Sequence, residues 1–373
     1  MADTKTHVFL TGYPAFTSIT MLKAMMEKGL KVTFLVQEKF IDQAKLFIKE
    51  NAELPGKADY VVGDVVALDL GLSGKEIKSL VRSITHFHHM ASIFHLGVPA
   101  DVTRAVNVNG TRHALALAKE MKRLDRFIFY STAFVSGYRT GVILEDDLDY
   151  GQEFRNDYES SKFTAEKLVR NAMGQLPVSI LRPSMIVGHS RTGEIYRFDG
   201  PYFIINLIVN MPRDIPLPLP GKGVYPMNLI PVDYLVDAAI HIAMDPDAKG
   251  KTFHIVDPNP LPARKVFEIV ALASGRARPK GTVPSIVSRL LFNLPGLPGR
   301  LRPWKVLFEF FDKLVLFNST NTLKSLSGTS ISCPPFSSYV DNLVAYIKTQ
   351  QKMFSTKGKR TPVKPFYPDD PYY

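Results

Sequence analysis

Residues 11–18 read TGYPAFTS, between the apolar run THVFL and the amphipathic run ITMLKAMMEKG. A strand, a tight turn and a helix start in that order can place free N–H groups at a helix N-terminus, where they receive an anion. A dinucleotide turn of this kind carries three glycines. One makes the tight turn, one lets the backbone approach the pyrophosphate, and one allows close helix–strand packing. Here the three positions are Gly12, Ala15 and Ser18. Gly12 keeps the first role, Ala15 adds a methyl, Ser18 adds a hydroxymethyl at the packing position, and Pro14 stiffens the loop. Taken alone, the stretch reads either as a phosphate loop or as an ordinary turn.

Outward from the loop, short β-rich runs alternate with amphipathic stretches over the first 190 residues. THVFLTG, KVTFLVQ, ADYVVGD, THFHHMA, RFIFYST and VSILRPS read as buried strands, with helical patterns between them. This alternation predicts an α/β fold, a doubly wound parallel sheet of Rossmann type. The helix VDYLVDAAIHIAMD and the strand KTFHIVD predict a late return to the sheet at about 226–258. The dinucleotide-type domain is therefore expected over 1–188 plus that return. Residues 189–225 are rich in Pro, Gly and aromatics; with 259–355 they are expected to form a smaller, mostly helical substrate lobe. Residues 356–373 read as a basic, Pro-rich tail.

With 45% hydrophobic and 22% charged residues, the 373-residue chain fits a globular enzyme. No uninterrupted apolar run is long enough to span a bilayer, and the first residues lack a signal-peptide pattern. The single cysteine, Cys333, excludes an intramolecular disulfide and a thiolate zinc cage; a reducing, cytoplasmic setting is expected. The net charge of +11 is uneven: from Gly275 onward Lys and Arg outnumber Asp and Glu 15 to 5. Anionic lipid, a phosphate-bearing substrate, nucleic acid or a solvated basic tail could each account for that surplus. Nucleic acid is not expected as a partner.

The chemistry lies further along. After the strand RFIFY comes STAFVSG (131–137), and then YESSK, Tyr158 to Lys162, opening an amphipathic helix. A Tyr and a Lys four apart share a helix face. Reducing a carbonyl by hydride requires a proton donor at its oxygen. Tyrosine, with a pKa near 10, serves poorly unless a cation lowers it. Lys162 is placed to do so, and a hydroxyl at the neighbouring strand end can hold the same oxygen.

At this point the chain resembles the extended short-chain dehydrogenase/reductase superfamily. TGYPAFTS resembles its TGxxGFxG loop, NVNGT (107–111) its NVxGT motif, STAFVSG its strand-end Ser/Thr motif, YESSK its YxxxK pair, and LRPSMIVG (181–188) its RPxxxxG segment. GDVVALDLGLS, RTGEIYRFDGPYF and MNLIPVDYLVDA further resemble the thioester-reductase and fatty acyl-CoA reductase branch. The resemblance implies Tyr158 as acid/base, Lys162 as its partner, Thr132 as the hydroxyl on the substrate oxygen, and Asn107 as organiser of the helix and proton path. It implies a cofactor site built from Thr11, Gly12, Tyr13, Pro14, Ala15, Phe16, Gln37, Lys39, Asp64, Val65, Ala91, Ser92, Tyr158, Lys162, Pro183 and Met185. Asp64 would receive the adenine amino group.

Gln37 ends the second strand, where an acid would favour NAD and an arginine NADP. It is neither, but Lys39 could reach a 2′-phosphate, and the branch implies NADP(H) over NAD(H). The expected activity is reduction of a hydrophobic carbonyl or an acyl-thioester. Alternatives are a hydroxysteroid- or hydroxyacyl-type alcohol dehydrogenase, a sugar-nucleotide epimerase, or an inactive nucleotide-binding or membrane-associated sensor. The histidines of HFHHMASIFH (His86, His88, His89, His95) alternate across a strand, so no metal site is expected. The segment 281–317 could lie on a membrane, line a substrate tunnel or form plain helical core. A homodimer is left open by analogy.

Overall fold

The computed structural model describes residues 6–94, 98–196, 201–210, 219–220, 222–283 and 313–356. Most of the 281–317 segment, the tail beyond 356 and His95 fall outside the described residues.

Seven strands form one parallel sheet: β1 (His7–Thr11), β2 (Lys31–Val36), β3 (Lys57–Val62), β4 (His86–His89), β5 (Arg126–Tyr130), β7 (Val178–Pro183) and β11 (Thr252–Ile255). Their order across the sheet is β11-β7-β5-β4-β1-β2-β3. All six expected strands and the late return are present. β1, β4, β5, β7 and β11 are buried at every residue, as a sheet covered on both faces requires. β3, at one edge, buries none of its residues fully.

The helices are α1 (Phe16–Glu27), α2 (Ile41–Glu50), α3 (Gly74–Ser83), α4 (Ala100–Arg104), α5 (Gly110–Glu120), α6 (Asp157–Ala172), α7 (Pro201–Asn210), α8 (Val232–Met244), α9 (Ala263–Ser274), α10 (Thr320–Leu326) and α11 (Val340–Thr356). α1 and α8 cover one face of the sheet, where Met21, Leu22, Met25 and Leu235 meet Leu10 and Ile128. α3, α5 and α6 cover the other, where Leu80, Ala114 and Val169 meet Phe9, Phe87 and Phe127. A third apolar cluster joins α7, α9 and α11.

Local sequence sets the helix starts. In α3, Ser73 and Glu76 form a reciprocal capping box. In α6, the Asn156 side chain accepts from Glu159 N at 2.9 Å, which fixes the turn carrying Tyr158. The short strands β6 (Gly141–Ile143), β8 (Met185–Val187), β9 (Leu219–Pro220), β10 (Leu229–Pro231), β12 (Thr282–Val283) and β13 (Val315–Phe317) pair outside the main sheet. The strand order reverses between β1 and β4. A doubly wound sheet binds its ligand at the carboxyl ends flanking such a reversal.

Candidate active site

The glycine-poor loop leaves β1 at that reversal. Gly12 has φ +105°, and a Cβ there would lie 2.8 Å from the Met90 carbonyl carbon and 2.9 Å from Ala91 N. Only glycine fits. The other two positions differ. Ala15 is the residue before α1 and donates its N–H to Gly12 O at 3.0 Å. Ser18 is buried with its Oγ 4.0 Å from Met90 Sδ, so the hydroxymethyl fills space beside β4 that a glycine would leave empty. Phe16 packs on Tyr196, ring centroids 4.8 Å apart. Tyr13 turns inward onto Phe34 at 4.9 Å, so its ring belongs to the core.

The chemistry-bearing residues follow β5. Thr132 caps the short 3₁₀ turn Ala133–Ser136, accepting from Phe134 N at 3.3 Å. A side-chain hydrogen bond joins it to Tyr158. Lys162 lies one turn further along α6, buried, donating from Nζ to the Tyr130 carbonyl oxygen, 4.5 Å above the Phe129 ring.

The electrostatics depart from the sequence expectation. Burial pushes the Tyr158 hydroxyl up to about 12, and the Thr132 hydrogen bond only partly offsets this. Lys162, turned to the Tyr130 carbonyl, does not offset it. Burial instead draws Lys162 down to about 7, against the pull of the Glu166 carboxylate.

Ser131 takes no part at Tyr158. Its Oγ donates to Glu166 Oε2 at 2.6 Å. Glu166, four residues after Lys162, is fully buried and receives Arg182 through Nε at 3.0 Å and Nη2 at 2.7 Å. Burial alone would raise the Glu166 carboxyl; the Arg182 charge and hydrogen bonds, with Arg170 and Ser131, hold it below the ordinary range. α6 is thus anchored on a charged pair directly behind the lysine. Sequence reading missed this pair, although Tyr158, Lys162 and Glu166 repeat at helical spacing.

Asn107 lies in a π-helical turn, Ala105–Asn109, between α4 and α5. Fully buried, it accepts from Ile93 N at 2.7 Å and donates to Ile93 O and Ser161 Oγ, each at 2.9 Å. It therefore ties the chain after β4 to the residue before Lys162. The histidines of β4 are buried, and among the described residues no group of three or more potential metal ligands converges. Burial, with Lys162 nearby, lowers the His89 ring to about 3, so it is neutral.

The remaining expected residues line the carboxyl edge of the sheet. Asp64 Oδ1 accepts from Val66 N at 3.0 Å, and Asp64 Oδ2 accepts from Gln37 Nε2 at 2.7 Å. Val65 packs against Gly110, and its carbonyl oxygen lies 2.9 Å from His113 Nδ1. Lys39 Nζ sits 5.0 Å from the centre of the Phe40 ring. Ala91 N donates to Thr11 Oγ1 at 3.4 Å. Pro183 closes β7 and Met185 opens β8.

Three buried polar atoms on this edge have no hydrogen-bond partner: Gln37 Oε1, Ser92 Oγ and Ser184 Oγ. They follow β2, β4 and β7 respectively. Buried polar groups are normally satisfied. Unpartnered atoms along the edge beside the Gly12 turn fit a polar, extended ligand such as a nicotinamide dinucleotide.

Residues 27–239 match the family model described as male sterility protein, an NAD-binding domain. The chain is 26% identical over 362 residues to the nonribosomal peptide synthetase FrzA of a Cladobotryum species, covering 87% of this chain and 34% of that protein. The chain thus spans about a third of that relative's length. It is 22% identical over 278 residues to CG8303 of Drosophila melanogaster, named as a candidate fatty acyl-CoA reductase, covering 63% of this chain and 51% of that protein. Among solved structures, the terminal R domain of the myxalamid PKS-NRPS pathway superposes with a TM-score of 0.78 at 26% identity, covering 95% of this chain and 93% of that one. No described helix is long and apolar enough to cross a membrane.

Proposed function

The chain belongs to the male sterility protein family of NAD-binding domains, within the extended short-chain dehydrogenase/reductase fold, and on that premise we propose that it reduces a hydrophobic acyl-thioester or related carbonyl with NAD(P)H. One observation carries the reading: Thr132, Tyr158 and Lys162 meet at the carboxyl end of β5, with Thr132 hydrogen-bonded to Tyr158.

When bound, a reduced nicotinamide supplies hydride to the carbonyl carbon. The protein's residues handle the oxygen. Thr132 and Tyr158 hold it, and Tyr158 gives it a proton as negative charge develops. Lys162, one helical turn away and directed at the Tyr130 carbonyl, would stabilise the phenolate left behind by turning its ammonium to Tyr158. From a thioester the product of this step is a hemithioacetal. Its collapse expels the thiol and leaves an aldehyde.

We assign the phosphate contact to the Gly12–Phe16 turn and the adenosine end to Gln37, Lys39 and Asp64. The Gln37 donor is used by Asp64, so its Oε1 would be the atom left to accept from a ribose hydroxyl. A 2′-phosphate would fall to Lys39, and on that cation rests our preference for NADP(H). Residues 189–225 and 259–355 form the substrate lobe in this reading, around a dinucleotide unit of 1–188 with its return at about 226–258.

The test is purified protein with a long-chain acyl-CoA and NADPH, following loss of nicotinamide absorbance and trapping the aldehyde. Aldehyde formed in proportion to NADPH consumed supports the proposal. Turnover of a secondary alcohol or a UDP-sugar, with none of a thioester or other carbonyl, would overturn it.

A further inference from the structure

We propose that His89 is a positioning residue that couples the Gly12 loop to the helix bearing Tyr158 and Lys162, through a series of hydrogen bonds linked by the Asn107 residue. The inference rests on the site assignment above and extends it to a residue outside that site.

The series can be followed atom by atom. Thr11, the last residue of β1, stands opposite His89, the last of β4, in the parallel ladder. Thr11 Oγ1 lies 2.8 Å from His89 Nδ1. His89 Nε2 lies 3.1 Å from Thr111 Oγ1. Thr111 Oγ1 donates to the Asn107 carbonyl oxygen at 2.7 Å. Asn107 Nδ2 donates to Ser161 Oγ at 2.9 Å, and Ser161 Oγ donates to the Tyr158 carbonyl oxygen at 2.8 Å. All except Tyr158 are buried.

The direction of each proton follows from the ends. A carbonyl oxygen cannot donate, so the single Thr111 hydroxyl proton goes to Asn107 O. Thr111 Oγ1 is then an acceptor, and His89 must carry its proton on Nε2. Neutral His89 therefore accepts at Nδ1, which directs the Thr11 hydroxyl proton toward it. Thr11 Oγ1 is left to accept from Ala91 N, as observed at 3.4 Å. Every donor finds an acceptor under one tautomer.

The consequence is positional. Ala91 N is one of the atoms that crowd the space beside Gly12, so the Thr11–His89 bond sets the wall on which the phosphate loop closes. The Nε2 bond sets the π-turn whose Asn107 holds Ser161, the neighbour of Lys162. His89 is the one side chain in this run that reaches both. Its ring also stacks with Phe127 and Phe129, centroids at 6.3 and 6.1 Å, which fixes its plane.

Three variants separate the two arms. His89→Phe keeps the ring stack and deletes both bonds. His89→Asn keeps an acceptor near Nδ1, and His89→Gln can keep a donor near Nε2. Cofactor Kd by fluorescence titration and kcat with saturating cofactor are measured for each, alongside Tyr158→Phe. We expect the Phe variant to lose about tenfold in both, the Asn variant to recover chiefly Kd, and the Gln variant to recover chiefly kcat. In the wild-type protein, ¹⁵N-labelled imidazole should report the Nε2–H tautomer.

Parallel recovery of Kd and kcat in both variants, values for the Phe variant within twofold of wild type, or an Nδ1–H tautomer would overturn the coupling. The tautomer measurement decides the matter should the Phe variant fail to fold. If Tyr158→Phe keeps full turnover, the site assignment itself fails. If Tyr158→Phe is inactive while the two arms cannot be separated, only the coupling fails.

Discussion

The Gly12 loop and the helix bearing Tyr158 and Lys162 meet the same sheet edge but are held differently. The loop retains one glycine of three, at the position where the backbone takes a positive φ of +105°. At Gly12 the backbone that follows β4 comes within 3 Å of where a side chain would start. At Ser18 the neighbour is the flexible Met90 side chain, which accommodates the extra atoms. On α6, by contrast, each turn is held by a specific partner: Thr132 on Tyr158, Tyr130 O on Lys162, and Arg182 with Ser131 on Glu166. A loop held by backbone shape can lose signature residues where side chains yield. A helix held by directed hydrogen bonds cannot.

The largest expected effect lies on the helix. Tyr158→Phe removes the proton donor and should lower kcat by about 10²–10⁴ with cofactor affinity unchanged, read by steady-state kinetics and titration. Glu166→Gln comes next. It leaves the Arg182 charge buried without its counter-ion, at a cost of about 3–5 kcal/mol by denaturant unfolding. It also removes the carboxylate that raises Lys162, whose pKa stands at about 7. Lys162 loses its charge as pH rises through that value. The alkaline limb of the reduction profile should therefore move to lower pH in the variant. A limb that stays put would detach Glu166 from the lysine.

Gly12→Ala tests the loop. At φ +105° with Met90 carbonyl carbon at 2.8 Å, the methyl should cost about 1–3 kcal/mol and weaken cofactor binding, both read on one purified variant. The smallest effect is Ser18→Gly, which restores the family glycine. It should change stability by no more than about 1 kcal/mol and leave cofactor affinity within a few fold. A large gain in affinity would mean that Ser18 obstructs the loop after all.

The sheet was legible because buried strands such as RFIFY and VSILRP are short, mostly apolar, β-rich runs bounded by turns. The Thr132, Tyr158 and Lys162 set was legible because a fixed spacing follows a recognisable strand. Other features required three dimensions. Gln37 and Asp64 are 27 positions apart, and their bond fixes which end of the Gln37 amide is left without a partner. Glu166 and Arg182 look like surface charges in sequence, yet both are fully buried. His89 sits in a histidine-rich strand whose alternation argues only against a metal. Its role depends on Thr11 and Thr111, to which no local pattern points. Lys162 was expected to acidify Tyr158, yet its ammonium turns to the Tyr130 carbonyl while burial raises the Tyr158 hydroxyl, an arrangement that sequence does not carry.

The central claim is that TGYPAFTS is a working dinucleotide loop with a single glycine. Titrating the purified protein with NADPH and, separately, NADH, followed by nicotinamide fluorescence, tests it most directly. The account predicts saturable binding at micromolar concentration with NADPH the tighter ligand. Binding of neither would contradict it and leave the site as a fold without its cofactor.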